Sequence, residues 1–443
     1  MNDSAIRLLK KIGCTISLTL IVYTQIFSQV IDSTLLLPDK DMQWWKDAKF
    51  GLFIHYGLYA VHGRGEWAMF SEYMNISEYE KLRDKFNYKQ DAPKHWVEIA
   101  QKAGCEYMVV TTRHHDGFSL FDTGFGDYDA VNSAAGRDVI KDYADAAHGA
   151  GMKMGFYYSP LDWRYPGFFF PEMYRASAEE MKKQTYTQVK ELLTNYGKVD
   201  ILWYDGGEDF WLGHGGIVWE GGQWKTRRPD KPYTGSFSWE PVKLNTMVRK
   251  LQPQVVISER SGWMGDFVTR ENSFGKKPNR PWEFCTNLGG SAWGWTPQAK
   301  DQVLSADSAT QLLVKVVCMG GNLLLNVGPM ATGEIEEIQA QRLEEIGTFL
   351  KKNGESIYGT TGGVYDDAWG GTTLTEKAIY VHILKAPVDG KISIPAHNKK
   401  IASAVILNTK EKIRFKQTTN GIELLDLPAT QKVADTIIKV SLK

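Results

Sequence analysis

Short apolar runs rich in β-branched residues alternate with longer stretches of helical spacing between about residues 45 and 355. This alternation is typical of repeated β/α units, which assemble into a parallel sheet. The pattern therefore predicts an α/β fold, a (β/α)8-like barrel. The strands that it predicts are Gly51–Tyr56, Tyr107–Thr112, Lys153–Tyr158, Val199–Tyr204, Val255–Ser258 and Leu323–Val327.

Three stretches between the predicted strands carry helix signals. The first is predicted to begin at a capping box formed by Ser177 and Glu180, and to end at Gly197. Helices are also predicted over residues 242–251 and 305–319, the latter ending at a glycine pair. The apolar residues predicted to face the core from the first helix are Met181, Val189, Leu192, Leu193 and Tyr196.

The last 90 or so residues have a different pattern, with short alternating runs separated by turn sequences such as Asp389-Gly390 and Asn420-Gly421. Alternation of this kind is typical of antiparallel strands with one buried face. We therefore predict two folded domains after the N-terminal segment, a catalytic barrel over residues 29–356 and a small β-sandwich over residues 357–443.

The N-terminal segment resembles a secretory signal peptide. Basic residues at Arg7, Lys10 and Lys11 precede an uncharged and mostly apolar stretch over residues 12–27. The stretch is short for a permanent membrane anchor. We predict that residues 1–28 are removed, that the mature protein is periplasmic or secreted, and that it has no stable membrane insertion.

Composition narrows the classes of partner. Lys and Arg together number 52, as do Asp and Glu, so the formal net charge is zero and a nucleic-acid partner is not expected. The three cysteines after the signal segment, Cys105, Cys285 and Cys318, lie in apolar stretches and are predicted to be buried thiols rather than a disulfide framework. Aromatic residues are abundant, with 15 Trp, 20 Tyr and 19 Phe, so some are expected to line a site.

Polar residues that directly follow a barrel strand are candidates for chemistry, because active sites lie at the carboxyl ends of barrel strands. Asp205 follows the fourth predicted strand and precedes two glycines, which allow a substrate to approach the backbone closely. It is the best candidate for a nucleophile. The alternative is that Asp205 caps the next turn or helix.

Histidines cluster at the ends of the first two strands. His55 ends the first, Glu66 and Trp67 lie in the loop after it, and His114 and His115 end the second. Such a cluster could bind zinc, but no helical His-x-x-x-His or Cys-x-x-Cys spacing accompanies it. Metal binding, polar sugar binding and structural roles all stay open for these histidines on their spacing alone.

Three glutamates compete for the role of a catalytic acid. Glu259 precedes Arg260 at the end of the fifth strand, and Glu271 and Glu283 follow in the next predicted loop. Glycoside hydrolysis needs two carboxyl groups around one bond, and sequence spacing does not give their separation.

Several segments resemble the α-L-fucosidases of glycoside hydrolase family 29. The resemblance runs from about residue 44 to residue 359, and the motifs that carry it are WWKDAKFGLFIHYGLYAV, GEWAMF, TTRHHDGFSLFDT, GFYYSPLDW, ILWYDGG, WEFCTN, SAWGW and GGNLLLNVGP. The resemblance implies a barrel with a C-terminal β-sandwich, hydrolysis of terminal α-L-fucosides from an oligosaccharide or glycoconjugate with net retention, and no metal or other cofactor.

The family motifs also imply roles for individual residues. Asp205 in WYDGG corresponds to the nucleophile, and Glu271 to the acid/base, although this chain has Arg270 where the family usually has proline. Glu283 is the alternative acid/base. The residues that resemble the family's sugar-binding set are His55, Glu66, Trp67, His114, His115, Tyr157 and Arg260, with Trp203 and Trp295 as pocket walls.

Two other functions stay open on the sequence. One is a glycosidase on the same frame that acts on galactose-configured substrates, because L-fucose and D-galactose share the relative arrangement of several hydroxyl groups. The other is a carbohydrate-binding protein without catalysis. The sequence gives no signal for the oligomeric state.

Overall fold

The computed structural model describes residues 32–206, 235–387, 389–427 and 434–443, together with the backbone of two short strands at 217–220 and 223–226. The predicted signal peptide and the segment directly after Gly206 lie outside these residues. None of the helices in the described ranges is both long and apolar enough to cross a bilayer.

The first ten strands belong to the predicted barrel region. They are β1 (Phe50–Ile54), β2 (Tyr107–Arg113), β3 (Lys153–Tyr158), β4 (Ile201–Tyr204), β5 (Ile217–Glu220), β6 (Gln223–Thr226), β7 (Val256–Ile257), β8 (Val268–Glu271), β9 (Trp282–Asn287) and β10 (Asn322–Val327). Strands β5 and β6 pair with each other as an antiparallel ribbon.

The other eight strands form one parallel sheet in the order β7-β4-β3-β2-β1-β10-β9-β8. Its two edge strands, β7 and β8, are joined by one isolated bridge directly after β7. Ser258 and Phe267 form a parallel bridge, and the Asp266 N–H donates to the Ile257 carbonyl at 2.7 Å. The curled sheet thus confirms the predicted barrel-like α/β fold, with its weakest seam between β7 and β8.

All six predicted barrel strands are present, with ends that differ by up to two residues. The interpretation of residues 265–283 as a loop was wrong, because strand β8 lies within this range and strand β9 begins in it. Strand β8 is only four residues long and ends in the polar pair Arg270 and Glu271, so it lacks an apolar run. Strand β9 buries Glu283, a residue type that rarely marks a strand interior.

Eleven α-helices complete the described chain. They are α1 (Asp39–Ala48), α2 (Leu58–His62), α3 (Ala68–Ser71), α4 (Ile76–Glu80), α5 (Ala92–Ala103), α6 (Val139–Gly149), α7 (Pro166–Phe169), α8 (Arg175–Asn195), α9 (Pro241–Leu251), α10 (Ala306–Cys318) and α11 (Glu337–Asn353). Helices α9 and α10 confirm two sequence predictions, and the side chain of Ser305 caps α10 by accepting from the Ser308 N–H.

Helix α8 shows where a local signal was wrong. It begins at Arg175, so Ser177 and Glu180 lie inside its first turns rather than forming a capping box. The Ser177 hydroxyl instead accepts a hydrogen bond from the Gly167 N–H at 3.1 Å, which ties α8 to α7. The predicted end is confirmed, since the chain leaves the helix through Gly197 at φ +75°.

Helix α1 closes the amino end of the barrel. It leads directly into β1, so it lies at the end of the strands opposite to their carboxyl ends. Its Trp45 is 1% exposed and packs on Phe267 at a ring distance of 4.6 Å, within the cluster that fills the barrel interior. A site at the carboxyl ends of the strands is therefore shielded from solvent on the side of the amino ends.

The C-terminal strands are antiparallel, as predicted. They are β11 (Thr361–Asp366), β12 (Gly370–Leu374), β13 (Ala378–Ile383), β14 (Ile392–Ile394), β15 (Ile401–Ile406), β16 (Arg414–Gln417), β17 (Ile422–Leu425) and β18 (Thr436–Leu442). They form a sheet ordered β11-β12-β13-β18-β15 and a smaller sheet ordered β14-β17-β16. One apolar cluster contains residues from both sheets, which is the packing of a β-sandwich.

The closure of the amino end of the barrel by Trp45 of α1 gives a first prediction. Replacing Trp45 with Ala should lower the free energy of unfolding by about 3–5 kcal/mol, because the cavity left in the barrel interior has no room to collapse. The neighbouring half-buried Trp44 is the matched control, and Trp44→Ala should cost clearly less. Urea unfolding followed by circular dichroism measures both free energies. Equal losses for the two variants would contradict the role of Trp45 in closing the barrel.

Candidate active site

A pocket opens at the carboxyl ends of the barrel strands, where the sequence predicted a site. Its described walls come from eight separate segments of the chain. The lining residues are Phe53, His55, Trp67, His114, His115, Tyr157, Trp203, Asp205, Arg260, Glu271 and Trp293.

Asp205 directly follows β4 and lies at the centre of the polar contacts. Its Oδ1 accepts from Nη1 of Arg260 at 3.0 Å, and its Oδ2 accepts from the Tyr157 hydroxyl at 2.8 Å. Nε2 of His115 lies 3.5 Å from the same Oδ2. Both carboxylate oxygens are therefore oriented, and the residue does not cap a helix in the described structure.

The charge state of Asp205 follows from these contacts. Burial alone would raise its pKa, but the charge of Arg260 opposes this, together with His115 and the hydrogen bonds from Tyr157 and Arg260. The net result is a pKa below the usual value. Asp205 is thus held as an anion at neutral pH, the state that a nucleophile needs.

Glu271 stands at the end of β8, on the other side of the same arginine. Its Oε2 accepts from Nη2 of Arg260 at 2.9 Å, while Nε of Arg260 donates to the Thr269 hydroxyl at 2.8 Å. One guanidinium therefore joins the carboxylates of Asp205 and Glu271. The Glu271 side chain retains about a third of its exposure, so it faces the pocket mouth.

Glu283 lies deeper, inside the barrel and outside the pocket lining. Its Oε2 accepts from the Tyr107 hydroxyl at 2.5 Å, and its Oε1 accepts from the Trp203 indole N–H at 2.9 Å. Burial raises the pKa of Glu283 to about 7, although both hydrogen bonds and Arg260 act in the opposite direction. Both of its oxygens are already bonded to protein groups.

His55 extends from the end of β1 with one ring nitrogen fixed. Its Nδ1 lies 2.8 Å from Oδ1 of Asn326, in β10. Burial lowers the pKa of His55 to about 3, so the ring is neutral at physiological pH. Nε2 is the nitrogen left for a ligand.

His114 and His115 end β2 side by side, with ring centroids 4.1 Å apart. Nδ1 of His115 lies 2.6 Å from the Ser159 hydroxyl, which follows β3. Burial lowers the pKa of His115 to about 4, and it lowers the pKa of His114 well below its usual value. Nδ1 of His114 is buried without a hydrogen-bond partner among the described residues.

Glu66 and Trp67 enter from the loop after β1. Oε2 of Glu66 accepts from the Gly294 N–H at 2.8 Å, and burial raises the pKa of Glu66 to about 7. The contact holds the segment that carries Trp293 against the pocket. Trp67 lines the pocket and packs against His115 at a ring distance of 5.5 Å.

Aromatic rings form the apolar wall. Tyr157 and Trp203 stack at 5.7 Å with an interplanar angle of 16°, and the guanidinium of Arg260 lies 5.0 Å above the Trp203 ring. Tyr158, the other member of the tyrosine pair, points out of the barrel and donates to Gln188. Trp295 lies outside the lining, with its indole N–H bonded to Glu336 at 2.8 Å.

Four residues near the pocket were missed by the sequence analysis. Phe53 and Trp293 line it, while Ser159 and Asn326 each bond to a pocket histidine. Phe53 had a signal, because it lies two residues before His55 and so points to the same side of the strand. Trp293 and Trp295 share one motif, and only the path of the loop decides which one faces inward.

Three potential metal ligands meet in the pocket. The donor atoms of His114, His115 and Asp205 lie within 4.8 Å of one another. However, both oxygens of Asp205 already accept hydrogen bonds, and the guanidinium of Arg260 is 3.0 Å away. A cation there would be repelled by the arginine, so the donor set does not fit a metal.

A parallel barrel whose strand ends join two carboxylates, an arginine and aromatic walls has the plan of a barrel glycoside hydrolase. Comparison with known proteins gives the family. The α-L-fucosidase family model matches residues 31–355. The plasma α-L-fucosidase of Homo sapiens is 28% identical over 395 residues, covering 82% of this chain and 79% of its own length.

Solved structures agree with this match. The α-L-fucosidase isoenzyme 1 from Paenibacillus thiaminolyticus superposes with a TM-score of 0.76 at 32% identity, over 91% of this chain and 99% of that one. The Thermotoga maritima α-fucosidase in complex with a mechanism-based inhibitor gives 0.68 at 29% identity, over 90% and 96%. The chain therefore belongs to the α-L-fucosidase family of glycoside hydrolases.

The donor geometry predicts independence from metal ions. Dialysis against a strong chelator should leave kcat/KM for glycoside hydrolysis unchanged, because Arg260 already neutralises Asp205. Adding back zinc or calcium should give no gain. Loss of activity in the chelator followed by recovery with either ion would show that the histidines and Asp205 bind a metal.

The buried carboxyl of Glu283 predicts a specific pH dependence of stability. Its folded pKa of about 7 lies above its ordinary value of 4.5, so unfolding releases its proton between these pH values and stability falls as the pH rises through this window. The glutamine side chain of Glu283→Gln does not ionise, so unfolding of this variant releases no proton at this position. The variant should therefore gain stability relative to wild type between pH 5 and pH 8, on the order of 3 kcal/mol.

Urea unfolding at several pH values measures this difference. The exposed Glu337, in the first turn of α11, gives the matched control because it is hydrated in both states. Glu337→Gln should track wild type across the range. A Glu283→Gln variant that also tracks wild type would contradict the raised pKa.

Proposed function

We propose that this protein is an exported, retaining α-L-fucosidase, which removes terminal α-L-fucosyl groups from glycans through a covalent glycosyl-enzyme intermediate. The catalytic domain would span residues 29–356 and a β-sandwich domain residues 357–443. The family match supports the substrate class. The observation that carries the catalytic assignment is the guanidinium of Arg260 between the carboxylates of Asp205 and Glu271.

In the first step Asp205 attacks the anomeric carbon while Glu271, in its protonated form, gives its proton to the departing oxygen. Asp205 receives hydrogen bonds from both Tyr157 and Arg260, whereas Glu271 receives one from Arg260. Asp205 is therefore the better stabilised anion of the two, as a nucleophile requires. The exposure of Glu271 at the mouth also suits contact with a leaving group.

In the second step the roles of the charges change. Asp205 is now a neutral ester, so its charge no longer competes with that of Glu271 for the guanidinium of Arg260. An ionised Glu271 is the base needed to take a proton from the attacking water. Water attacks the anomeric carbon and releases Asp205, and two inversions give net retention. Arg260 thus stabilises whichever carboxylate is charged in each half of the cycle.

The pocket walls suit a 6-deoxy sugar. Phe53, Tyr157, Trp203 and Trp293 provide apolar surface for the methyl group and ring faces. His55, His114 and His115 lie among these rings and provide the hydrogen-bonding atoms. A galactose-configured substrate would bring a hydroxymethyl group against this apolar surface, which favours fucose.

The position of Glu283 favours Glu271 as the acid/base. A proton on Glu283 lies beneath the Trp203 indole, which separates it from the pocket. A glycosidic oxygen bound beside Asp205 would therefore be reached by Glu271 and not by Glu283. The basic and apolar pattern of residues 1–28 supports export, as does the match to a plasma α-L-fucosidase.

The direct test is hydrolysis of paired aryl glycosides by the purified protein. We expect turnover of aryl α-L-fucoside and about 100-fold lower kcat/KM for aryl galactosides, because an apolar wall leaves the added hydroxyl of the galactoside without a hydrogen bond. Preference for a galactoside would establish the galactose-specific alternative. Binding of fucose without any turnover would establish the non-catalytic one.

The nucleophile assignment predicts that Asp205→Asn loses all but about a thousandth of wild-type turnover, with little loss of folding. The exposed Asp122 gives a matched control, and Asp122→Asn should keep wild-type rates. Trapping with a 2-fluoro fucosyl donor should add one sugar mass to a peptide that contains Asp205. Labelling at another carboxylate would assign the role of nucleophile to that residue instead.

The acid/base assignment predicts different behaviour for two glutamate variants. Glu271→Ala should lose about 10²–10⁴-fold on substrates with basic leaving groups and far less on activated aryl glycosides, since only the former need the proton. Added azide should restore its turnover and give a product of retained configuration. Glu283→Ala is the comparison, and azide rescue of that variant alone would assign the acid/base role to Glu283.

A further inference from the structure

We propose that Ser159 and Asn326 are positioning residues that hold two pocket histidines in opposite tautomers, so that His55 offers a hydrogen-bond acceptor to the sugar and His115 offers a donor. Neither positioning residue lines the pocket. The inference rests on the proposed function for its substrate, but the two tautomers themselves can be measured without any substrate.

The hydrogen bonds around Ser159 fix the proton on His115. The Ser159 hydroxyl accepts from the Leu161 N–H at 3.2 Å, and its own proton has two possible acceptors. One is Nδ1 of His115 at 2.6 Å, and the other is the Leu161 carbonyl at 3.4 Å. Only when Nδ1 carries no proton can the hydroxyl place its own proton in the shorter contact, which is the stronger of the two hydrogen bonds open to it.

A neutral imidazole that accepts at Nδ1 carries its proton on Nε2. Nε2 of His115 faces Oδ2 of Asp205 at 3.5 Å. A lone pair on Nε2 would be repelled by this carboxylate, whereas an N–H is attracted to it. The carboxylate at one end of the ring therefore selects the tautomer of His115 with Nε2–H as a donor, and the Ser159 hydroxyl at the other end favours the same tautomer.

The hydrogen bonds around Asn326 fix the opposite tautomer of His55. The Asn326 amide nitrogen donates to Oδ1 of Asn287 at 2.7 Å and to the Trp293 carbonyl at 2.8 Å. These two acceptors determine which side of the amide is nitrogen, so Oδ1 of Asn326 must face His55. Nδ1 of His55 then has to donate to it at 2.8 Å. Nε2 of His55 is left as an acceptor.

Both rings are neutral at physiological pH, so each has one protonated and one unprotonated ring nitrogen. Burial lowers the pKa of His55 to about 3 and that of His115 to about 4. A charged imidazolium would offer donors at both nitrogens and would lose the distinction. The apolar surroundings of the pocket therefore protect the acceptor at His55 as much as the donor at His115.

The arrangement predicts which sugar hydroxyl depends on Ser159. Asp205 attacks the anomeric carbon, and the 2-hydroxyl is on the adjacent carbon. The donor of His115, 3.5 Å from the nucleophile, is therefore placed to bond the oxygen of the 2-hydroxyl. Hydrogen bonds to this hydroxyl strengthen in the transition state of glycosidases. Ser159 would thus affect the rate through His115 without touching the substrate.

The first experiment is ¹⁵N NMR of histidine-labelled, substrate-free protein at pH 7. We expect one resonance pair assigned to His115 with the proton on Nε2, and one assigned to His55 with the proton on Nδ1. Ser159→Ala should change only the His115 pattern, and Asn326→Ala only the His55 pattern. A wild-type His115 protonated on Nδ1, or a His55 protonated on Nε2, would overturn the proposal.

The second experiment uses two fucosides that differ only at the 2-position. Ser159→Ala should lower kcat/KM about tenfold for the aryl α-L-fucoside, the effect of one hydrogen bond, and should barely change it for the 2-deoxy analogue. Ser159→Thr keeps the hydroxyl and should retain most of the activity on both. An equal loss on the two substrates would mean that Ser159 is merely structural.

These outcomes separate the inference from the proposed function. If wild type hydrolyses no fucoside but shows the expected tautomers, the function fails and the positioning roles stand. If wild type is an active fucosidase and Ser159→Ala leaves both the His115 resonances and kcat/KM unchanged, the positioning role of Ser159 fails and the function stands.

Discussion

The contact on which the site depends is the guanidinium of Arg260 between two carboxylates. Moving an isolated carboxylate out of water costs several kcal/mol, and Asp205 is largely buried beneath aromatic rings. Arg260 offsets this cost through a hydrogen bond to Oδ1, and it is itself held in place by Thr269 and the face of Trp203. The barrel seam between β7 and β8 positions this arginine, so the weakest backbone pairing of the sheet lies beside its most important charge.

The surrounding protein makes that charge pair effective. Helix α1 closes the lower end of the barrel with Trp45, and the stacked rings of Tyr157 and Trp203 cover the side of the pocket. Excluding water lowers the local dielectric constant, which strengthens every hydrogen bond and ion pair to Asp205. The same exclusion keeps His55 and His115 neutral. The apolar side chains around the pocket therefore affect the protonation of His55 and His115 without forming hydrogen bonds to them.

The sequence predicted most of the fold, because six of the eight barrel strands lie in apolar runs and the C-terminal strands alternate cleanly. It did not predict β8, which has no apolar run, or β9, which buries a glutamate. The start of α8 was misjudged because Ser177 bonds to Gly167, a partner ten residues away in the chain. The family motifs predicted most of the residues that meet in the pocket, but not Phe53 or Trp293. Their orientation, including the choice of Trp293 over Trp295, depends on loop paths that no local pattern encodes.

The acids around the pocket differ in charge because Arg260 bonds directly to only some of them. Arg260 bonds to Asp205 and Glu271, whereas Glu66 and Glu283 have no ion pair with a described residue. Burial raises the pKa of both to about 7, so near neutral pH each retains a proton for much of the time. A further anion beside Asp205 would compete for Arg260 and raise the pKa of the nucleophile. Protonation of the buried glutamates thus preserves the negative charge at the one carboxylate that has to attack.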